Sequence, residues 1–106
     1  MGNYRISNSA REDLQRIWLW GLEQFGEAQA DTYFTKLIER FEMLAAKPHL
    51  APSVDHIRAG YRRNVCGSES IYYRIEDEYI EIMAVIGRQD IHNHLSDNEE
   101  SQDAIS

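Results

Sequence analysis

Residues 70–86, which read SIYYRIEDEYIEIMAVI, decide the fold of this chain. Apolar and polar side chains alternate along both halves of the segment, as they do in two half-buried strands. A two-residue turn at Asp77-Glu78 would set the register of the resulting hairpin. On one face this register places apolar residues opposite each other, in the pairs Ile75 with Ile80, Tyr73 with Ile82 and Ile71 with Ala84. On the other face the pairs are mixed, namely Arg74 with Glu81 and Tyr72 with Met83. We therefore expect a sheet that is covered on its apolar face alone.

Two further alternating segments, residues 4–6 and 61–66, predict strands at the start and in the middle of the chain. The loop at Gly67-Ser68, which follows the second segment, can have either two or three residues. A shift of one residue turns every side chain of a strand to the opposite face. The sequence therefore leaves open which of Arg62 and Arg63 points away from the covered side of the sheet.

Two amphipathic helices are predicted between the first strand and a loop over residues 47–60. The first helix begins at a capping box, in which the Ser9 hydroxyl and the Glu12 carboxylate would each accept a free amide hydrogen, and Gly26 is placed to end it in an αL cap. The second helix runs over residues 28–46 and stops before a proline. Apolar positions recur with the helical period at Ala10, Leu14, Ile17, Trp18, Gly21 and Phe25, and at Ala30, Phe34, Leu37, Ile38, Phe41, Leu44 and Ala45. Two such helices with a short connection predict an antiparallel hairpin.

The element order β-α-α-β-β-β predicts one α+β domain, in which the helix hairpin packs on one face of a small, largely antiparallel four-stranded sheet. A chain of 106 residues suits a single core. We assign the domain to residues 1–95 and predict that residues 96–106 form a mobile acidic tail.

The net charge of −7 is unevenly distributed. The tail holds four acids and no base, which leaves 14 of the 18 acids against 11 bases in the body. This balance argues against a sequence-specific or general nucleic-acid binder, although a small basic site on one face remains possible. Cys66 is the single cysteine, so an internal disulfide is excluded. Neither an apolar run of about 18 residues nor a signal peptide is present, and we expect a cytoplasmic protein that does not act at a membrane.

A series of residues in a fixed order links the chain to a known family. They are Tyr4 to Ser7, Ala10, Asp13, Leu14, Ile17, Trp18, Phe25, Gly26, Ala30, Tyr33, Leu37, Phe41, Leu44, Ala45, Pro48, Gly60 to Arg63, Ile71 to Arg74, and Ile82 to Ile86 followed by Gly-Arg-Gln-Asp at 87–90. Over residues 4–95 the chain resembles the ParE branch of the RelE/ParE toxin superfamily.

The resemblance implies the toxin of a type II toxin-antitoxin system, encoded beside a ParD-like antitoxin whose extended C-terminal segment wraps around it. ParE-type toxins are regarded as inhibitors of DNA gyrase that act without a catalytic site, whereas RelE-type members are ribosome-dependent mRNA endoribonucleases. The resemblance leaves open whether the chain forms a homodimer or a heterotetramer with the antitoxin. Because unrelated activities share scaffolds, the residues have to decide between the two activities.

Cleavage of RNA through the 2′-hydroxyl requires a base, an acid and cations for the phosphate. The resemblance to RelE-type enzymes makes the candidates Arg62 or Arg63, Arg74, Arg88, Tyr72, and His92 or His94. Arg74 is explained more simply as the cross-strand partner of Glu81, and Lys36 and Lys47 are the only lysines. We therefore predict no catalytic site, and an endoribonuclease is the alternative. Two histidines two residues apart are a weak metal pattern, so neither a metal nor a cofactor is predicted.

Two sets of residues remain as candidate contacts with other proteins. Arg62, Arg63 and Arg88 predict a basic patch that contacts the antitoxin or gyrase, unless they are simply solvated. Leu19, Trp20 and Met43 project away from the predicted core faces of the helices. Clustered apolar exposure of this kind marks interfaces, and we predict that these three receive an amphipathic helix of the antitoxin. The alternative is that Trp20 packs under the sheet edge or the loop at 47–60.

Overall fold

All six predicted elements are present in residues 2–87, the part of the chain that the structure, a computed structural model, describes. They are β1 (Tyr4–Ile6), α1 (Asn8–Phe25), α2 (Glu27–Ala46), β2 (Tyr61–Cys66), β3 (Glu69–Ile75) and β4 (Ile80–Gly87). The predicted α+β class and the order β-α-α-β-β-β are confirmed. The predicted tail at 96–106 lies outside the described residues.

The sheet has the strand order β1-β4-β3-β2. The strands β2, β3 and β4 form an antiparallel meander, while β1 pairs with β4 in parallel and makes the sheet mixed. The two helices carry the chain from β1 to β2 at the opposite edge of the sheet, and the meander then brings β4 back beside β1. As a result β4 lies inside the sheet and β2 forms one of its edges.

The hairpin of β3 and β4 keeps the predicted register near its turn and departs from it farther away. Ile75 faces Ile80, Arg74 faces Glu81 and Tyr73 faces Ile82, as predicted. The predicted pairs of Ile71 with Ala84 and Tyr72 with Met83 are wrong, since Tyr72 faces Ala84 and Ile71 faces Val85. A β-bulge inserts Met83 as an extra residue and reverses the alternation beyond it. The bulge brings Val85, which is fully buried, to the covered face.

The turn between β2 and β3 has two residues, because Cys66 pairs with Glu69. Gly67 has a φ of +63°, the left-handed conformation that glycine adopts at the first central position of such a turn. Arg62 therefore lies opposite Tyr73 on the covered face, and Arg63 lies opposite Tyr72 on the open face.

The core lies between the helix hairpin and the apolar face of the sheet. Its buried cluster contains Leu14 and Ile82, and Phe34 packs against it. Phe41 is fully buried and meets the ring of Tyr4 edge to face, with centroids 5.6 Å apart. The predicted apolar faces of both helices are largely confirmed. Phe25 is the exception on α1, with an exposed fraction of 58%.

The first helix begins at Ser7 rather than at the predicted capping box of Ser9 and Glu12. The Ser7 hydroxyl oxygen accepts the N–H of Ala10 at 3.1 Å, and the hydroxyl donates to the carbonyl of Met83 at 3.3 Å. The contact with β4 holds Ser7 in place and decides between the two serines. Gly26 ends α1 as predicted with a φ of +89°, but its ψ of 170° is not that of the αL cap.

Beyond the end of β1, helix α1 continues the hydrogen bonding of β4. The backbone N–H of Ser7 donates to the carbonyl of Ile82 at 3.0 Å. Asp13 Oδ2 accepts the N–H of Val85 at 3.0 Å, while its other oxygen pairs with Arg16 at 2.8 Å. Asp13 thus supplies the acceptor for the buried N–H of Val85 at the bulge. In a sheet with a longer β1, a backbone carbonyl of that strand would take this place.

Candidate partner-binding surfaces

Helix α1 has an apolar groove on each flank. Trp18 and Trp20 are two residues apart, which places them roughly 200° apart around the helix axis. Trp20 lines a groove of about 470 Å³, here called the Trp20 groove. Its lining residues are Ile17, Trp20, Gly21, Phe25, Gln29, Ala30, Thr32, Tyr33, Lys36 and Ser68.

The Trp20 groove has exposed aromatic walls and a charged rim. Trp20 and Phe25 meet edge to face with centroids 5.6 Å apart, and both rings remain partly accessible. The floor contains Gly21, where an added Cβ would lie 3.7 Å from that of Ala30. Lys36 supplies a cation at the rim. This arrangement suits the apolar face of a helical or extended segment that also carries acidic residues.

A second groove, here called the Trp18 groove, lies on the other flank of α1 and has a volume of about 510 Å³. It is lined by Ile6, Arg11, Leu14, Gln15, Trp18, Leu19, Phe34 and Ile38. Trp18 packs edge to face on Phe34 at 5.9 Å between centroids. Leu19 remains 57% exposed. The two grooves together leave much of α1 open to a partner.

The structure separates the three predicted apolar contact residues. Trp20 and Leu19 line different grooves, so they do not form one surface. Met43 packs against the core cluster, and the prediction that it projects away from the core is wrong. Helix α2 contacts α1, β1 and β4 at once, so its buried arc is wider than the apolar stripe of the sequence indicates. Phe25 and Lys36, which sequence reasoning missed, join Trp20 instead.

A buried carboxylate lies at the end of the sheet beside the Trp20 groove. Glu69 is only 7% exposed. Burial raises the pKa of the Tyr33 phenol, and the nearby Glu69 carboxylate raises it further. A Cβ at Gly87 would lie 2.5 Å from Glu69 Oε1, so a side chain at this position would displace the Glu69 carboxylate. The glycine at the start of the Gly-Arg-Gln-Asp segment therefore leaves room for the buried carboxylate in its present position.

The predicted basic patch is divided between the two faces of β2. Arg62 Nη1 donates to the carbonyl of Ala51 at 2.6 Å on the covered side. There the hydroxyl of Tyr73 also donates to the carbonyl of Pro48 at 2.7 Å, so both side chains hold the loop at 47–60. Arg63 is exposed on the open face, and Arg88 lies outside the described residues.

The candidates for an RNA-cleaving site are also dispersed. Arg74 binds Glu76 at 2.7 Å and Glu81 at 3.2 Å, which confirms the predicted ion pair with Glu81. Both carboxylates raise the pKa of Arg74, Glu76 more strongly. Tyr72 is half-buried on the same open face. Histidines 92 and 94 lie outside the described residues. Among residues 2–87, the strand pairing brings one further cation beside Tyr72. This is Arg63, which lies directly opposite it on β2.

Comparison with a solved structure shows that the fold of this chain is shared by a known protein. A chain of the "Chromosomal ParDE TA system from P. aeruginosa" superposes with a TM-score of 0.68 at 20% sequence identity, covering 80% of this chain and 94% of that one. Within residues 2–87 neither helix combines the length and apolar character that would be needed to cross a membrane.

Sequence comparisons define the family. Toxin ParE1 of Caulobacter vibrioides is 37% identical over 75 residues, which cover 71% of this chain and 78% of the relative. Toxin ParE1 of Mycobacterium tuberculosis is 32% identical over 94 residues, which cover 87% and 96%. The model of the family described as "ParE toxin of type II toxin-antitoxin system, parDE" matches residues 4–92. The chain belongs to the ParE toxin family, as its sequence motifs predict.

Proposed function

We propose that this chain inhibits DNA gyrase by binding it, without a catalytic site of its own, and that a ParD-like antitoxin neutralises it. Both encounters would take place in the cytoplasm. The ion pairs of Arg74 are the observation that favours inhibition by binding over RNA cleavage. Its guanidinium lies between Glu76 and Glu81, and a cation already held by two carboxylates is poorly available to a phosphate.

Two assays on the purified chain test this activity. We expect inhibition of gyrase supercoiling and no cleavage of mRNA on ribosomes. Ribosome-dependent cleavage without gyrase inhibition would instead identify an endoribonuclease. Inactivity in both assays, with antitoxin binding intact, would identify a family member that binds its antitoxin and inhibits neither target.

The Trp20 groove is the proposed site for the antitoxin. Its apolar walls present Trp20 and Phe25 to a partner, and aromatic anchors of this kind dominate many interfaces. Lys36 at the rim favours an acidic residue on the antitoxin segment. A segment that wraps around the toxin could continue across α1 into the Trp18 groove, where Leu19 is exposed.

Truncation of Trp20 tests the position of the antitoxin. We expect Trp20→Ala to weaken binding by about 30-fold, equivalent to roughly 2 kcal/mol. Leu50→Ala is the control, since Leu50 is 58% exposed on the loop at 47–60 and also loses an apolar side chain. An affinity of Trp20→Ala within about twofold of wild type would exclude this groove. A loss with Leu19→Ala would extend the interface to the Trp18 groove.

Arg63 and Arg88 are the proposed basic contacts with gyrase or the antitoxin. Arg63 is exposed on the open face, whereas Arg62 is engaged with Ala51 and serves as the control. We expect the double variant Arg63→Ala, Arg88→Ala to lose supercoiling inhibition while its circular dichroism spectrum is unchanged. Undiminished inhibition by a folded double variant would exclude both side chains as target contacts.

A further inference from the structure

The outer edge of β2 is a potential site for adding another strand. In an antiparallel ladder, alternate residues direct both backbone groups to the same neighbour. Tyr61, Arg63 and Val65 are the alternate residues of β2 that direct backbone groups away from β3, since these groups bond to the loop at 47–60 and to α2. An exposed edge of this kind invites pairing with a second chain.

Each of the three outward-pointing residues already has a backbone hydrogen bond within the same chain. The carbonyl of Tyr61 accepts the N–H of Val54 at 2.8 Å. The N–H of Arg63 donates to the carbonyl of Pro52 at 3.2 Å. The carbonyl of Val65 accepts Arg40 Nη1 at 2.9 Å.

Arg40 protects the part of the edge that the loop does not cover. It extends from α2 and also donates to Asn64 Oδ1 at 2.6 Å, so its guanidinium is held by two bonds across adjacent residues of β2. Residues 52–54 cover the first half of the strand, with a bridge between Ser53 and Arg62. The half that ends at Val65 therefore depends on a single side chain.

We propose that Arg40 and residues 52–54 together prevent a second copy of this chain from adding its own β2 to the sheet. An incoming antiparallel strand needs both the N–H and the carbonyl of one residue at each close pair. At Tyr61, Arg63 and Val65 at least one of these two groups is occupied. The β2 strands of two copies would otherwise pair around a twofold axis centred on Val65, whose side chain is 55% exposed.

Removal of Arg40 tests the proposal on the whole chain. Sedimentation equilibrium of Arg40→Ala, from about 10 µM to about 1 mM, should give a dimer association constant at least tenfold above that of wild type. Lys36→Ala is the matched control, because it removes the same charge from the same helix one turn earlier. Circular dichroism and the thermal midpoint establish that each variant is folded.

A second variant identifies the surface through which the copies associate. Proline at position 65 removes the outward N–H without removing a bond to β3, so Arg40→Ala, Val65→Pro should return to the association constant of wild type. The proposal is overturned if folded Arg40→Ala associates no more strongly than wild type. It is also overturned if the association persists in the folded double variant or is reproduced by Lys36→Ala.

Discussion

The two faces of the sheet contrast in what their side chains contact. On the covered face Ile71, Tyr73 and Ile82 are fully buried beneath the helix hairpin. On the open face Arg74 forms its ion pairs in contact with solvent, and Tyr72 is half-buried. The difference indicates that the covered face supplies most of the free energy of folding, while the open face can change without loss of the fold.

Neighbouring residues of β2 show the same contrast on a smaller scale. Arg62 is on the covered side and holds the loop through Ala51, whereas Arg63 is exposed on the open side. The two arginines are adjacent in sequence and carry the same charge. Their surroundings differ: Arg62 holds the loop at 47–60, whereas Arg63 is exposed and is the one of the two that we propose as a contact with a partner.

The largest expected effect comes from a cavity in the core between the helix hairpin and the covered face. Phe41→Ala removes a fully buried ring of α2 from this core and should lower the free energy of unfolding by about 3–5 kcal/mol. Tyr72→Ala removes an aromatic ring from the open face and should cost less than about 2 kcal/mol. Urea unfolding of both variants measures the difference, and equal losses would contradict the contrast between the faces.

The second expected effect concerns the support that α1 gives to the bulge in β4. Asp13→Ala leaves the N–H of Val85 buried without its carboxylate acceptor, which should cost about 1–3 kcal/mol. Asp13→Asn keeps an acceptor oxygen and should recover part of this loss. Chemical denaturation compares both variants with Glu12→Ala, a change at the exposed neighbouring position. A loss no greater than that of Glu12→Ala would show that the bulge does not depend on Asp13.

A smaller effect separates the two arginines of β2. Arg62→Ala removes the hydrogen bond to Ala51 at 2.6 Å and should cost about 1–2 kcal/mol. Arg63→Ala should change the free energy of unfolding by less than about 0.5 kcal/mol. Thermal and urea unfolding of the pair provide the measurement, and the two faces of β2 would be equivalent in energy if both variants unfolded alike.

The smallest effect is a pH dependence at the alkaline end. Burial raises the pKa of Tyr4, Tyr33 and Tyr73 above the ordinary value of 10.0, and all three lie on the covered side. The folded state then keeps protons that the unfolded chain releases, so the stability that is fully present below pH 10 is lost as the pH rises beyond it. Unfolding at about pH 9 and about pH 11 should show this decline, with a shallower slope in Tyr33→Phe. An identical slope in that variant would exclude Tyr33 as a contributor.

Local patterns were sufficient to predict the elements of the fold. The bounds of α2 and β2 agree with their periods in the sequence, because a period reflects which side of one element is buried. The start of α1 was predicted at the wrong serine, since Ser7 and Ser9 are both suitable caps and only the contact of Ser7 with Met83 distinguishes them. The bulge at Met83 was invisible, because Met83, Ala84 and Val85 are all apolar.

The candidate site was predicted only in part. Trp20 was identified because it departs from the helical stripe, and it does line a groove. Phe25 follows the stripe and was assigned to the core, although its ring packs against Trp20 instead. Glu69 carried no local signal, since its burial depends on the approach of Gly87 from another strand.

The sequence by itself determined the order of the elements, most of the apolar face of both helices and membership of the ParE family. The tertiary structure decided which face of β2 each arginine occupies, how the two grooves divide α1 and how Arg40 and the loop cover the sheet edge. The physical reason is the distance along the chain between the residues that interact. Hydrophobic periodicity is a property of a few consecutive residues, whereas Arg40 with Val65 and Asp13 with Val85 are contacts between residues far apart in the chain.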